Sequence, residues 1–411
     1  MRASPKVLLV ANNFSPVRGG SAVVYDNIAC LASGHVAVLA PKINYIDGLP
    51  IIGWREHDRC APYPVYRLQL LRTIQLSEPL VGLRKLLFLA SDIRIRLQLV
   101  GAILRLVLRD GYTSVCIGEL LASGWLMGVL RWIPRLRVVL YVHGEELTTD
   151  TSYDAKGLRR LAGLRGADAI IVVSRFTYDV VIQMIGASAA EKVTLIQNGV
   201  NPTLFAQGPK RPDIMKRYGL EDSFVFVSVC RLLEKKGIDN ALRAFASIAA
   251  DEPKSRFLIV GTGPYQEELE ALTASLGLAD RVTFAGLVSG EDLADYYRVG
   301  NVFVMPNRKL ENGDTEGFGL VFLEANSCGL PVIAGCDGGS TDAVQHQVNG
   351  LVVDGRSVPG IAAAMRSLRD DAALWDRLHN GALEVAGRSG WADKANTFLR
   401  VCCNRLNEPG E

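Results

Sequence analysis

A chain of 411 residues is too long for one ordinary hydrophobic core and predicts two domains of about 200 residues each. Its 49% apolar and 21% charged residues are ordinary for a globular protein. A formal net charge of +2 gives no reason to expect nucleic acid, whose binding domains are usually far more basic.

Lys6 to Ala11 reads as a first buried strand. Its apolar run ends at Asn12-Asn13, too soon for a signal peptide despite Arg2 and Lys6. A loop from Asn12 to Gly20 leads into a helix from about Ser21 to Ala32, and His35 to Ala40 gives a second strand. Val115 to Ile117, Val138 to Val142 and Ala169 to Val173 are further short strands with helical stretches between them. This βα alternation implies a parallel sheet with helices on both faces. Asn198 to Pro212 carries Gly199, Pro202, Gly208, Pro209 and Pro212 and is the best linker in the sequence. A second alternation starts at Phe224 to Val229. It continues through Phe257 to Val260, Val282 to Phe284, Val302 to Met305 and Val332 to Ala334. Trp391 to Leu406 reads as a final helix. The fold class is α/β, with two Rossmann-like, doubly wound halves.

Eight cysteines show no CxxC or Cys/His spacing, and most sit inside apolar runs. They predict buried free thiols in a reducing cytosol and no zinc site. No apolar stretch approaches the ~18 residues of a membrane span. The expectation is a cytoplasmic protein, soluble or peripheral on the inner face of the membrane.

The most informative segment runs from Asp314 to Gly335. Glu316 and Glu324 bracket seven residues, with Gly317 and Gly319 just after the first. Gly319 to Asn326 reads as a buried helix, stopped by Gly329-Leu330-Pro331 before a strand. The amides of Phe318, Gly319 and Leu320 would stand at the helix N-terminus under little side-chain bulk. Such an end attracts phosphate through unpaired donors and its partial positive charge. Glu316 lies in the entry loop and Glu324 about two turns on, at ~1.5 Å per residue, each able to accept from hydroxyls. A phosphate with hydroxyl-rich groups on both sides is a nucleotide sugar.

The pattern resembles the donor-site signature of the retaining glycosyltransferases of family 4, which have the GT-B fold. In Asn307 to Asp314 it resembles bacterial mannosyl- and glucosyltransferases of lipid and polysaccharide assembly. The resemblance spans most of the chain. It implies two domains facing a cleft: residues 1–200 on the acceptor side and 201–390 holding the nucleotide sugar. The terminal helix, 391–411, would cross back to the first domain. Arg231 and Lys236 follow the strand that opens the second half, where open parallel sheets bind ligands. An arginine fork and a lysine point charge there can clamp a diphosphate. The family's diphosphate pair corresponds to them; Lys235 is the neighbouring ambiguity, but Lys236 directly precedes Gly237 and fits the register better.

Gly19 and Gly20 correspond to the family's glycine pair, where backbone amides approach the donor or acceptor closely. His143 closes a strand in His143-Gly144-Glu145 and takes the role of the family histidine that contacts the donor sugar near the reacting carbon. His35, His57, His346 and His379 read as structural. Gly261-Thr-Gly-Pro-Tyr-Gln266 looks like a dinucleotide fingerprint but has Gln266 where the third glycine belongs, which argues against a dehydrogenase. Gly261 and, after the next strand, Val288 fit the family's nucleotide pocket.

The resemblance implies transfer of a hexose from GDP-mannose or a UDP-hexose to an acceptor hydroxyl on a lipid-linked or polysaccharide precursor. Neither cofactor nor metal is expected. Two rivals remain: a non-hydrolytic nucleotide-sugar epimerase on the same fold, and a catalytically inactive nucleotide-sugar-binding regulatory protein. Residues 67 to 109 hold eight Lys and Arg, with only Glu78 and Asp92 opposing. They read either as a surface for an anionic membrane or as a helix pair packed on the first sheet with solvated arginines.

Overall fold

The computed structural model of the protein describes residues 6–17, 19–74, 82–150 and 154–403. Arg2, Glu78 and the end of the terminal helix beyond Cys403 lie outside them. The first half contains strands β1 (Val7–Val10), β2 (Val36–Pro41), β3 (Val65–Leu68), β4 (Ser114–Ile117), β5 (Arg137–Val142), β6 (Ala169–Val172) and β7 (Val193–Leu195). They form one sheet in the order β3-β2-β1-β4-β5-β6-β7, every pair parallel. The second half contains β8 (Phe224–Val229), β9 (Ser255–Val260), β10 (Val282–Gly286), β11 (Val302–Met305), β12 (Val332–Gly335) and β13 (Gly350–Val353). Their order is β10-β9-β8-β11-β12-β13, again all parallel.

β1, β4, β11 and β12 are buried at every residue, as strands covered on both faces must be. Successive side chains go to opposite faces. Val7 and Leu9 pack with Val24, Tyr25 and Ile28 of the helix Gly20–Leu31, while Leu8 and Val10 pack with Leu99 and Ile103 of the helix Gly82–Asp110. In each sheet the strand order reverses beside the first strand of its half, between β1 and β4 and between β8 and β11. Such switch points open a crevice at the strands' carboxyl ends. The two crevices face each other.

The last described helix, Ala392–Cys402, packs on the first sheet. Phe398 stacks on Tyr141 of β5, Ser114 Oγ donates to the Cys402 carbonyl at 2.5 Å, and Arg137 Nε donates to that of Val401 at 2.9 Å.

Two expectations need correction. Cys116, Cys230, Cys328 and Cys402 are buried, but Cys30, Cys60 and Cys336 are exposed, because each lies on the outer side of a helix end or loop. Among the described residues, 67 to 109 hold one helix rather than a helix pair, and several of the arginines are engaged within the protein. Arg67 is bound by Asp58 at 2.8 Å, Arg72 stacks on Tyr45, and Arg96 pairs with Asp92 at 2.7 Å and covers Trp125. A single helix of 29 residues, Gly82–Asp110, takes up most of the stretch. Its second half is anchored by Ile95, Leu99, Ile103 and Leu106. Its first half stands clear of the body, with Leu83, Leu86 and Leu87 exposed by 71%, 64% and 63%.

Candidate active site

The donor loop, residues 314–319, is shaped by its glycines. Gly319 has φ +87°, a left-handed turn that a side chain resists, and it starts the helix Leu320–Ser327. A Cβ on Gly317 would collide with the carbonyl of His143 in the opposite half. The backbones of Gly144 and Gly317 therefore nearly touch, and His143 hangs over the entrance to the donor helix. Gly20 lies on the same approach, where a Cβ would meet the Leu320 side chain at 3.8 Å. Gly19 precedes it as the residue before that helix begins.

Lys236, in the short turn after β8, pairs directly with Glu316. Burial works against the Glu316 carboxylate, but Lys236 and Lys235 outweigh it and, with the Phe318 N–H, hold its pKa below the usual range. Arg231 opens the same loop. It is exposed and makes no hydrogen bond or ion pair with another described residue. Gly261, at the end of β9, packs against the Cys230 carbonyl beside it, and its N–H donates to the Gly286 carbonyl at 2.8 Å. Val288 is buried one loop further on, next to exposed Leu287. These residues line one wall of the cleft.

Glu324 sits one helical turn along from Leu320, on the same face, and accepts from the Tyr297 hydroxyl at 2.7 Å. Burial pushes its pKa up to about 7 against that hydrogen bond. His143 Nε2 meets the Tyr25 hydroxyl at 2.6 Å, and the ring stacks on Tyr141. Burial drives its pKa down to about 4, so the imidazole is neutral at pH 7. Glu146 fixes the turn by accepting from the N–H groups of His143 at 2.7 Å and Gly144 at 3.0 Å.

Several of these partners carry no sequence motif. Tyr25 and Tyr297 become visible only when distant segments meet, whereas Glu146 acts within its own turn. Lys235, the neighbouring alternative to Lys236 in the sequence, is a buried tie between the halves: its Nζ reaches Glu145 at 3.0 Å and Asp314 at 2.8 Å. Arg308, in the approach to the donor loop, is also buried, held by Asp239 at 2.6 Å. Among the described residues no group of three or more His, Cys, Asp or Glu could hold a metal ion.

Two parallel-sheet Rossmann-like domains, with a phosphate-ready helix end facing a histidine across a cleft, define a GT-B glycosyltransferase. The family model for glycosyl transferases group 1 matches residues 210–384, and that for glycosyltransferase family 4 matches residues 64–204. A GDP-mannose-dependent alpha-(1-6)-phosphatidylinositol monomannoside mannosyltransferase of Mycobacterium tuberculosis is 33% identical over 389 residues, covering 93% of this chain and 92% of its own. A D-inositol 3-phosphate glycosyltransferase of Thermobispora bispora is 33% identical over 307 residues, covering 69% of each. The crystal structure of Anabaena HepE in complex with UDP superposes with a TM-score of 0.74 at 20% identity, covering 98% of this chain and all of that one, which bears on the fold alone. The chain belongs to glycosyltransferase family 4, and it is a hexosyltransferase that uses a nucleotide sugar.

Proposed function

We propose that the chain transfers mannose from GDP-mannose, with retention of configuration, to a hydroxyl of a lipid-linked acceptor containing an inositol phosphate. The observation that carries transfer is the meeting at one cleft of Arg231, the Lys236–Glu316 pair and the amides of Phe318 to Leu320, with His143 opposite. The choice of donor and acceptor is supported by the names of the two relatives, one of which matches along nearly the whole chain.

In this reading the diphosphate takes the place of the Glu316 carboxylate on Lys236 and the Phe318 N–H, and engages Arg231. The bond from the anomeric carbon to the phosphate oxygen breaks, and the acceptor oxygen bonds to the same face. The acceptor's proton passes to the departing phosphate. Arg231, Lys236 and the helix amides stabilise the charge growing there, a contribution that usually dominates such chemistry. Glu316, released, accepts from hexose hydroxyls, and Glu324 accepts from the ribose. Gly261 and Val288 border the base, and Gly19 and Gly20 let the opposite backbone approach. His143 meets the hexose as a neutral hydrogen-bonding group. These cations and amides do the work that a divalent ion does elsewhere, so activity should survive EDTA.

An epimerase needs groups free to move a ring proton. His143 Nε2 is committed to Tyr25, which favours transfer. The basic, apolar first half of the helix Gly82–Asp110 supports docking on an anionic membrane, where a lipid-linked acceptor resides. Among the described residues no helix is long and apolar enough to cross one.

Nucleotide release from GDP-mannose, UDP-glucose and UDP-N-acetylglucosamine, each with phosphatidylinositol vesicles, tests the reading. GDP release and an α-linked product by NMR are expected. Release of UDP alone would overturn the donor, and a β-linked product the stereochemistry.

A further inference from the structure

The loops after four neighbouring strands of the first sheet deliver polar side chains to one place. Asn12 follows β1, Tyr45 follows β2, Arg72 follows β3 and Glu119 follows β4. Glu119 stands at the switch point itself, between β1 and β4, where an open sheet offers its crevice. Asn12 and Asn13 lie beside its carboxylate and favour its charged form, and Asn12 Nδ2 donates to Ser123 Oγ at 3.2 Å. Asn12 Oδ1 is buried with no partner among the described residues. The Arg72 guanidinium lies over the Tyr45 ring at 4.5 Å and within the field of Glu119. It makes no hydrogen bond to another described residue. Arg231 of the opposite half acts on the same Tyr45 hydroxyl, so this group adjoins the diphosphate clamp. Tyr25 links it to His143 as well, donating to the carbonyl of Gly118, the residue before Glu119.

We propose that Glu119 and Arg72 form the acceptor subsite and select a polyhydroxylated ring that carries a phosphate ester. Glu119, anchored by Asn12 and Asn13, accepts from ring hydroxyls and orients the one that attacks. Arg72, spread on Tyr45, takes the phosphate as a planar fork. A carboxylate alone would suit any sugar. An adjacent guanidinium without a hydrogen-bonded partner among the described residues adds a demand for an anion, and only a ligand bearing both groups meets it.

The inference rests on the transfer reading above, and its test separates the two. The full chain is supplied with the nucleotide sugar that it turns over, and KM is measured for myo-inositol and for inositol 1-phosphate. The wild type should prefer the phosphate ester by about tenfold, the scale of one charge-assisted contact. Arg72→Gln should erase that preference by raising KM for the ester alone. Glu119→Gln, which keeps the shape, should raise KM for both probes by about tenfold through loss of a charged acceptor. Affinity for the free nucleoside diphosphate, measured on the same proteins, identifies a variant that has merely misfolded; Arg72→Lys and Glu119→Asp then replace it. A wild type that uses neither probe, or has no preference between them, overturns the proposal. So does an Arg72→Gln protein that keeps the preference, or a Glu119→Gln protein with unchanged KM values. A wild type that releases nucleotide from no donor overturns instead the transfer reading beneath it.

Discussion

Arg231 is exposed in the free protein and bound to no described residue, so its charge serves a ligand rather than the fold. Arg231→Ala should lower kcat/KM by about 100-fold, because a charge-assisted contact to the departing diphosphate contributes about 3 kcal/mol. Its melting temperature should match the wild type, and near-normal turnover would remove the arginine from the mechanism. Glu324 is the opposite case, since its carboxyl is buried and its pKa lies near 7 against an ordinary 4.5. The folded protein holds this proton more tightly than the unfolded chain does. Stability from the group is therefore full below the unfolded value and is lost as pH rises through about 7. Glu324→Gln should melt with the wild type at pH 5 but about 3 °C higher at pH 8, the shift that about 1 kcal/mol makes in a domain of this size. Nucleotide affinity should fall meanwhile, because an amide accepts poorly from two ribose hydroxyls. Equal melting curves at both pH values would show that the carboxylate is not strained.

At the scale of elements, central strands are more legible in the sequence than edges, although the edge strand β10 starts where its apolar run predicts. β8 and β11 keep the bounds that their apolar runs predict, since both lie in the middle of a covered sheet. The edge strands β3 and β7 escape a reading by apolar runs, because they mix polar with apolar residues. The donor loop is readable because glycine spacing and two glutamates report local geometry. Tyr25 and Tyr297 are not, since their partners lie 118 and 27 residues away and only tertiary packing joins them. The helix Gly82–Asp110 shows both limits: its charges are plain in the sequence, but which of them face outward is not. With Arg96 committed to Asp92 and Trp125, the outward set in its first half is Arg84, Lys85 and Arg94. Each contributes about 1 kcal/mol at an anionic surface, screened over ~8 Å at physiological salt. Changing all three to Gln should abolish the salt-sensitive part of co-sedimentation with anionic liposomes. Changing Leu83, Leu86 and Leu87 to Ser should remove the salt-resistant part, which comes from buried apolar area. Equal partitioning of all three proteins would mean that the projecting helix serves something other than a membrane.

At the scale of the molecule, the two halves are held face to face by specific ties, and Lys235 is a buried ionic one among them. Burial alone would depress its pKa, yet Glu145 from the first half and Glu316 and Asp314 from the second outweigh that and raise it. One ammonium thus neutralises carboxylates from both walls, while Asp150 N–H donates across to the Asn312 carbonyl at 2.8 Å. Removing one partner of a buried ionic group leaves the others uncompensated, and that cost exceeds what the pair itself contributes. In Lys235→Met the facing carboxylates repel, and the least costly relief is for the halves to part and let water in. A compact chain of this length has a radius of gyration of ~22 Å. Small-angle scattering should show Lys235→Met expanded relative to the wild type at low salt, with the difference shrinking as salt screens the repulsion. Saturating nucleoside diphosphate acts on Lys236 and Arg231, which the substitution leaves in place, so it should restore the compact form at a higher ligand concentration. The donor KM should rise accordingly, with kcat changed less, because the closed state is reached only after part of the binding free energy has been used to close it. Identical scattering from the two proteins at every salt concentration would show that the remaining contacts around Gly144 and Gly317 hold the cleft closed without this lysine.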